Sequence, residues 1–139
     1  MRNDLSAVES AEWLAVRPGT DTALLLALCY VLITESLYDS AFVASPYRGL
    51  RALSRLPDGE RDGVAKTPEW AAAITGIEAQ RIAALAREMA SLRTMVNISW
   101  SIQRARQGEQ AYWATVALTA LLGQIGTPGR RIRIWLRLY

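Results

Sequence analysis

The run from Ala23 to Ile33 contains no charged residue and is bounded by Asp21 and Glu35. It falls short of the ~20 apolar residues needed to span a bilayer. Its apolar positions cover nearly the whole circumference of a helix, which predicts a helix packed between layers and not one lying on a surface. Ahead of it, Pro18-Gly19-Thr20-Asp21 is a turn followed by a capping pattern, with Thr20 or Asp21 able to accept from the free N–H groups of the first turn. The helix is expected from Asp21 to Leu37, with Asp39 capping a short second helix toward Val43. A chain of 139 residues, 51% of them hydrophobic, can bury such a helix within one domain and is too short for two ordinary ones.

Between Ser45 and Val64 the pattern breaks down into Pro46, Gly49, Pro57, Gly59 and Gly63, the composition of a loop. The Leu50, Leu53, Leu56 spacing inside it would make at most a short amphipathic helix, flanked by prolines. Thr67-Pro68-Glu69-Trp70 is a strong helix start: a threonine cap, proline at the first helical position and an acid in the first turn. That helix is expected to reach Thr75 and end at Gly76. A second, from Glu78 to Ser91, sets Ile82, Leu85 and Met89, with Ile77 just before it, on one side and Gln80, Arg81, Arg87 and Glu88 largely on another. Arg93 to Ser99 has the β-branched content of a short buried strand, followed by a polar loop and a helix from Glu109 to Ile125. The expected fold is therefore α/β, mostly helical with one short buried strand. In such a unit ligands sit at the carboxyl end of the strand, so binding is expected on Ser99 to Arg106.

Composition removes several kinds of chemistry. There is no histidine, the usual general base and the commonest zinc ligand. The single cysteine, Cys29, sits in the apolar run and reads as a buried thiol acting as a small hydrophobe. Met1 to Glu12 carries Asp4, Glu9 and Glu12 where a secretory signal needs a basic start and an apolar core. The net charge of +3 comes from arginines crowded into Arg48 to Arg55 and Arg130 to Arg137, a distribution that argues against a general nucleic-acid surface.

The loop Ser99-Trp100-Ser101-Ile102-Gln103-Arg104 offers two hydroxyls, an indole, an amide and a guanidinium, able to stack on a flat ring and hold phosphate or carboxylate oxygens. The plainer alternative is a surface loop with a helix-capping serine. Gly19-Thr20-Asp21 is open to two readings in the same way, as an anion or guanine site at a helix start or as an ordinary cap. Glu109-Gln110 and Tyr112-Trp113 read as the first turn and packing face of the last helix, and no second carboxylate is placed to make an acid–base pair. Trp70 reads as a core anchor in preference to a stacking platform. Arg130 to Tyr139 alternates arginine with apolar residues at period two, which fits a cationic edge strand or a tail for membranes or nucleic acid.

Four blocks, AEWLAVRPGTDTALLLAL (Ala11 to Leu28), DGVAKTPEWAAAITGI (Asp62 to Ile77), SWSIQRARQGEQAYW (Ser99 to Trp113) and LLGQIGTPG (Leu121 to Gly129), resemble in order and spacing the molybdopterin oxidoreductases that reduce dimethyl sulfoxide, trimethylamine N-oxide and biotin sulfoxide. The third block resembles the biotin sulfoxide branch most. The resemblance implies a partial domain over residues 1–129, an interior stretch of a much larger α/β domain. It implies molybdenum held between two molybdopterin guanine dinucleotides, with an S-oxide or N-oxide as substrate. By resemblance, Gly19, Thr20 and Asp21 would contact the guanine dinucleotide of one pterin. Ser99, Trp100, Ser101, Gln103 and Arg104 would line the pterin and the funnel to the metal, with Trp100 and Arg104 nearest the substrate oxide. None of these residues is a metal ligand, which in the family is a serine from an earlier segment. Relatives occur both in the cytoplasm and, after export, in the periplasm.

Two stretches depart from the family. After Thr127-Pro128-Gly129 the family continues with a glycine-rich run, where this chain has Arg130 to Tyr139. One back-translation of that stretch, read one base later, spells a glycine-rich run. The sequence within residues 46–58, taken from Tyr47 to Asp58, can be written in the same way to give a family-like segment, with the frame restored at Gly59. Both stretches are therefore expected to be frameshifted, which also accounts for the crowded arginines. Codons at Arg130 to Tyr139 that cannot give glycines in another frame would remove the idea. Two functions follow as expectations: an inactive part of a molybdenum oxotransferase that does not retain the cofactor alone, or a small helical module whose basic tail binds acidic lipid or nucleic acid.

Overall fold

A computed structural model describes residues 12–40 and 62–123, together with the backbone of the strand at 132–135. The expectations for Asp39 to Val43, apart from its first two residues, and for residues 46–58 lie outside the described residues. The described elements are α1 (Asp21–Thr34), α2 (Pro68–Thr75), α3 (Ala79–Ser91), β1 (Val96–Ser99), a 3-10 helix (Trp100–Arg104), α4 (Glu109–Leu121) and β2 (Ile132–Trp135).

Helix α1 is the centre of the molecule, packing against α2, α3 and α4. Ala27, Leu28, Cys29, Val31 and Leu32 are buried on it and meet Ala71 of α2, Ile82 and Ala86 of α3, and Ala117, Leu118 and Leu121 of α4. The all-round apolar pattern thus has its covering layers within this chain. Its C-terminus lies three residues before the expected end. Ser36 adopts φ 55, its N–H bonds the Ile33 carbonyl and the Leu37 N–H reaches back to that of Leu32. This pair of bonds is a Schellman cap with serine where glycine is usual, which is why the sequence gives no stop signal there.

At the other end of α1 the expected cap is corrected. Thr20 makes no side-chain cap. Its hydroxyl donates to the Arg17 carbonyl at 2.7 Å, and it is Asp21 that lies in the first turn, where its charge suits the helix dipole.

Helix α2 begins as the sequence predicts. Thr67 Oγ1 accepts from the Trp70 N–H at 3.2 Å, Pro68 stands at the first position, and Gly76 closes the helix at φ 80. Lys66, which the sequence does not single out, is buried ahead of it. Its ammonium bonds Asp62 at 2.6 Å and lies 5.3 Å from the centre of the Trp70 ring, so the charge is paired and rests on a π-face. Helix α3 is tied to its surroundings by ion pairs, Arg81 to Glu12 and Arg87 to Glu35 beyond the end of α1 at 2.6 Å, and Arg81 also pairs with Glu88 within the helix. Each partnered carboxylate of Glu12 and Glu35 is held below its ordinary pKa by hydrogen bonding to the arginine.

The strand expected over Arg93 to Ser99 is Val96–Ser99, and only Ile98 of it is buried. A second strand, β2, pairs with it in parallel, Val96 opposite Ile132 and Ser99 opposite Trp135. The period-two stretch therefore supplies an edge partner, with α4 as the crossover that parallel pairing requires. Helix α4 ends at Leu121, before the expected Ile125, because Gly123 turns at φ 62 and the Asp39 side chain occupies the space a Cβ there would need. Among the described residues no helix is long and apolar enough to cross a membrane.

Candidate functional site

Parallel strands β1 and β2 end together at Ser99 and Trp135, and the chain leaves β1 directly into the 3-10 helix that carries Trp100, Ser101, Gln103 and Arg104. The expected binding loop is thus a turn of helix at the carboxyl end of a parallel pair. Its start is set by Ser99, whose hydroxyl accepts from the Ser101 N–H and shares a 2.8 Å hydrogen bond with the Ser101 hydroxyl. Between them the two hydroxyls use one proton, so one O–H is left to donate outward. Trp100 is 42% exposed and meets Tyr112 of α4 edge to face, 6.0 Å between ring centres at 66°. Tyr112 also donates to the Ser99 carbonyl at 2.9 Å. Gln103 and Arg104 are exposed, and Arg104 makes no ion pair among the described residues.

This surface carries donors, a π-face and, with Arg106, two guanidinium groups, and no carboxylate lies between Ser99 and Arg106. Such a set suits a flat, anionic or oxide-bearing ligand and lacks the paired groups of acid–base catalysis.

Gly19, Thr20 and Asp21 form a separate group at the start of α1, and no hydrogen bond joins them to Ser99–Arg104. Gly19 turns at φ 78 with open space on the side a Cβ would occupy, a conformation that favours glycine. Arg17, missed by sequence reasoning, fixes this turn. Its N–H donates to the Thr75 carbonyl at 3.0 Å and its carbonyl accepts from the Thr20 N–H at 3.2 Å, while its guanidinium donates to Ala73 at 3.1 Å and Ile74 at 3.4 Å. Those are the free carbonyls at the C-terminus of α2, where a cation is favoured. Nothing in the spacing of Arg17 links it to a helix so far along the chain, so no sequence signal was available.

The packing face expected for Tyr112-Trp113 is divided. Tyr112 packs on the 3-10 helix, whereas Trp113 is 64% exposed. A shallow hollow of about 320 Å³ lies elsewhere, lined by Trp13, Leu14, Ala15, Gly76, Ile77, Glu78 and Arg81. It includes none of the candidate residues, and the arginine on its wall is already paired with Glu12 and Glu88. Among the described residues no cluster of acids and cysteine could hold a metal ion.

A sequence model of the molybdopterin oxidoreductases matches residues 2–135. The chain belongs to the molybdopterin oxidoreductase family. Among relatives in that family, the biotin sulfoxide reductase of Cereibacter sphaeroides is 43% identical over 129 residues, 93% of this chain and 17% of that protein. Trimethylamine-N-oxide reductase 1 of Escherichia coli K12 is 45% identical over 121 residues, 87% of this chain and 14% of that protein. Of solved structures, the acetylene hydratase from Pelobacter acetylenicus superposes with a TM-score of 0.70 at 30% identity, over 82% of this chain and 15% of that one. The chain therefore spans between 14 and 17% of the length of these curated relatives. Membership in the molybdopterin oxidoreductase family implies a molybdenum–pterin cofactor.

Proposed function

We propose that this chain carries part of the pterin-nucleotide grip of a molybdenum-dependent S-oxide or N-oxide reductase, and that these 139 residues alone neither retain the cofactor nor turn over substrate. The observation that carries the reading is the position of Ser99–Arg104 at the carboxyl ends of two parallel strands with Trp100 and Arg104 turned to solvent, where a ligand of an α/β unit is expected. The donor set fits the group. Trp100 offers a face for the pterin ring, the free hydroxyl of the Ser99–Ser101 pair and the Gln103 amide reach its polar edge, and Arg104 pairs with phosphate or with the oxygen of a sulfoxide or N-oxide. At the other contact, the open turn at Gly19 admits a close approach to the backbone, Thr20 closes the turn, and the Asp21 carboxylate accepts from the N–H edge of a guanine. That second contact is what supports a guanine dinucleotide form of the cofactor in this reading.

When bound, a molybdenum centre of this class supplies oxygen-atom transfer with two electrons. The part played by these residues is to orient the cofactor and to hold the substrate oxide by its oxygen. The similarity to reductases of biotin sulfoxide, dimethyl sulfoxide and trimethylamine N-oxide supports an oxide of that kind as substrate. The frameshift reading of residues 46–58 and 130–139 is part of this proposal and rests on a back-translation of the amino acids that codon degeneracy permits. A period-two sequence forms a strand whether or not it was selected to, so β2 is compatible with it, and sequencing the locus decides.

The test is expression in a molybdenum-replete host followed by molybdenum and pterin analysis and an S-oxide reduction assay. The expected result is molybdenum and pterin well below one per chain and no turnover. Stoichiometric cofactor, or turnover of a sulfoxide, contradicts the incomplete grip.

A further inference from the structure

Gly108 sits at the start of α4 at φ −60 and is buried, so neither conformation nor exposure calls for glycine there. Space does. A Cβ at this position would lie 2.5 Å from the carbonyl oxygens of both Ile102 and Gln103 and 2.7 Å from the Gln103 carbonyl carbon. These are backbone atoms of the 3-10 helix and cannot rotate away, so any side chain at residue 108 pushes that helix off α4. One turn further along the same face of α4 stands Tyr112, whose hydroxyl holds the Ser99 carbonyl and whose ring meets Trp100. Gly108 and Tyr112 therefore grip the two ends of one short segment. The Gly108 N–H, bonded to the Ala105 carbonyl at 3.0 Å, closes the link between them.

We propose that Gly108 and Tyr112 are positioning residues that set the orientation of Trp100 and Arg104 by fixing the 3-10 helix against α4. The device has two parts with different chemistry: an absent side chain that permits backbone contact, and a phenol that fixes the strand end and braces the indole. Neither residue needs to touch a ligand. The functional meaning of the device rests on the reading of Ser99–Arg104 as a pterin contact; its existence does not.

The experiment uses the full 139-residue chain labelled with 5-fluorotryptophan, which gives one fluorine signal for each of the five tryptophans, Trp100 being assigned with Trp100→Phe. Gly108→Ala is expected to move the Trp100 signal while that of Trp70, set against the core, stays in place. Tyr112→Phe keeps the ring and loses the hydrogen bond, so it moves the Trp100 signal less than Tyr112→Leu, which loses both. Where Gly108→Ala collapses all five signals, the Tyr112 pair decides. A Trp100 signal unmoved in both Tyr112 variants, or one that moves only together with Trp70, overturns the proposal. No ligand is present in these measurements. A soluble pterin added afterwards in large excess to the unsubstituted chain, enough to populate a contact too weak to keep cofactor through purification, tests the other reading separately, so a graded Trp100 response with no pterin effect sinks the pterin contact and leaves the positioning device standing.

Discussion

Cys29 is 1% exposed in the middle of α1, and burial pushes its thiol up to about 12, because desolvation of the thiolate outweighs the backbone hydrogen bond that favours it. The buried reading made from its apolar neighbours holds for that reason. Two consequences follow for measurement. A thiol reagent at pH 8 should label Cys29 slowly in the native chain and rapidly in urea, and equal rates would mean that α1 is not covered. The folded state also holds this proton more tightly than the unfolded state. Its contribution to stability is therefore intact below the ordinary thiol value near 9 and is lost as pH rises toward 12. Arg17 and Lys66 show the limit of reading single residues. One spans to the end of α2 and the other lies over Trp70, and the partners of both are set by packing that local spacing does not encode.

At the scale of elements, legibility followed local chemistry. Helix α2 was visible at both ends because threonine, proline and glycine each act within a turn of their own position. Replacing Thr67 with alanine removes the acceptor for the Trp70 N–H and should cost ~1 kcal/mol in urea unfolding; a loss below a few tenths would show that the cap carries no weight. Helix α1 was legible at its start and not at its end, since a serine in the left-handed region is an unusual stop. Helix α4 was extended too far because Gly123 acts through its contact with Asp39, which is distant in sequence. The polar segment after β1 was expected as a loop at the carboxyl end of the strand and does leave β1 there, but as a 3-10 helix, a form that local spacing did not signal and that packs on Gly108 and Tyr112 of α4. The arginine-rich stretch shows how an alternating pattern yields a strand: Ile132–Trp135 pairs with β1 by backbone bonds that do not depend on which side chains alternate.

For the whole molecule, family membership was carried by four blocks in order, and the fold by a central helix whose covering layers are present. The large apolar side chains left to solvent lie on elements other than α1: Leu92 and Trp113 are each 64% exposed and Met95 is 53% exposed. What the sequence could not show is that the two candidate contacts are built separately, one on the Arg17-braced turn and one on the 3-10 helix. The account therefore stands or falls on whether those two surfaces recognise the two halves of a pterin nucleotide. The most direct measurement is amide and indole NMR of the nitrogen-15-labelled chain titrated with guanosine diphosphate and, separately, with a soluble pterin. The account predicts that the nucleotide shifts Gly19, Thr20 and Asp21, that the pterin shifts Ser99 to Arg104, and that Arg104→Ala weakens the second response only. Shifts gathered on Arg130–Tyr139 with these two groups silent would contradict it.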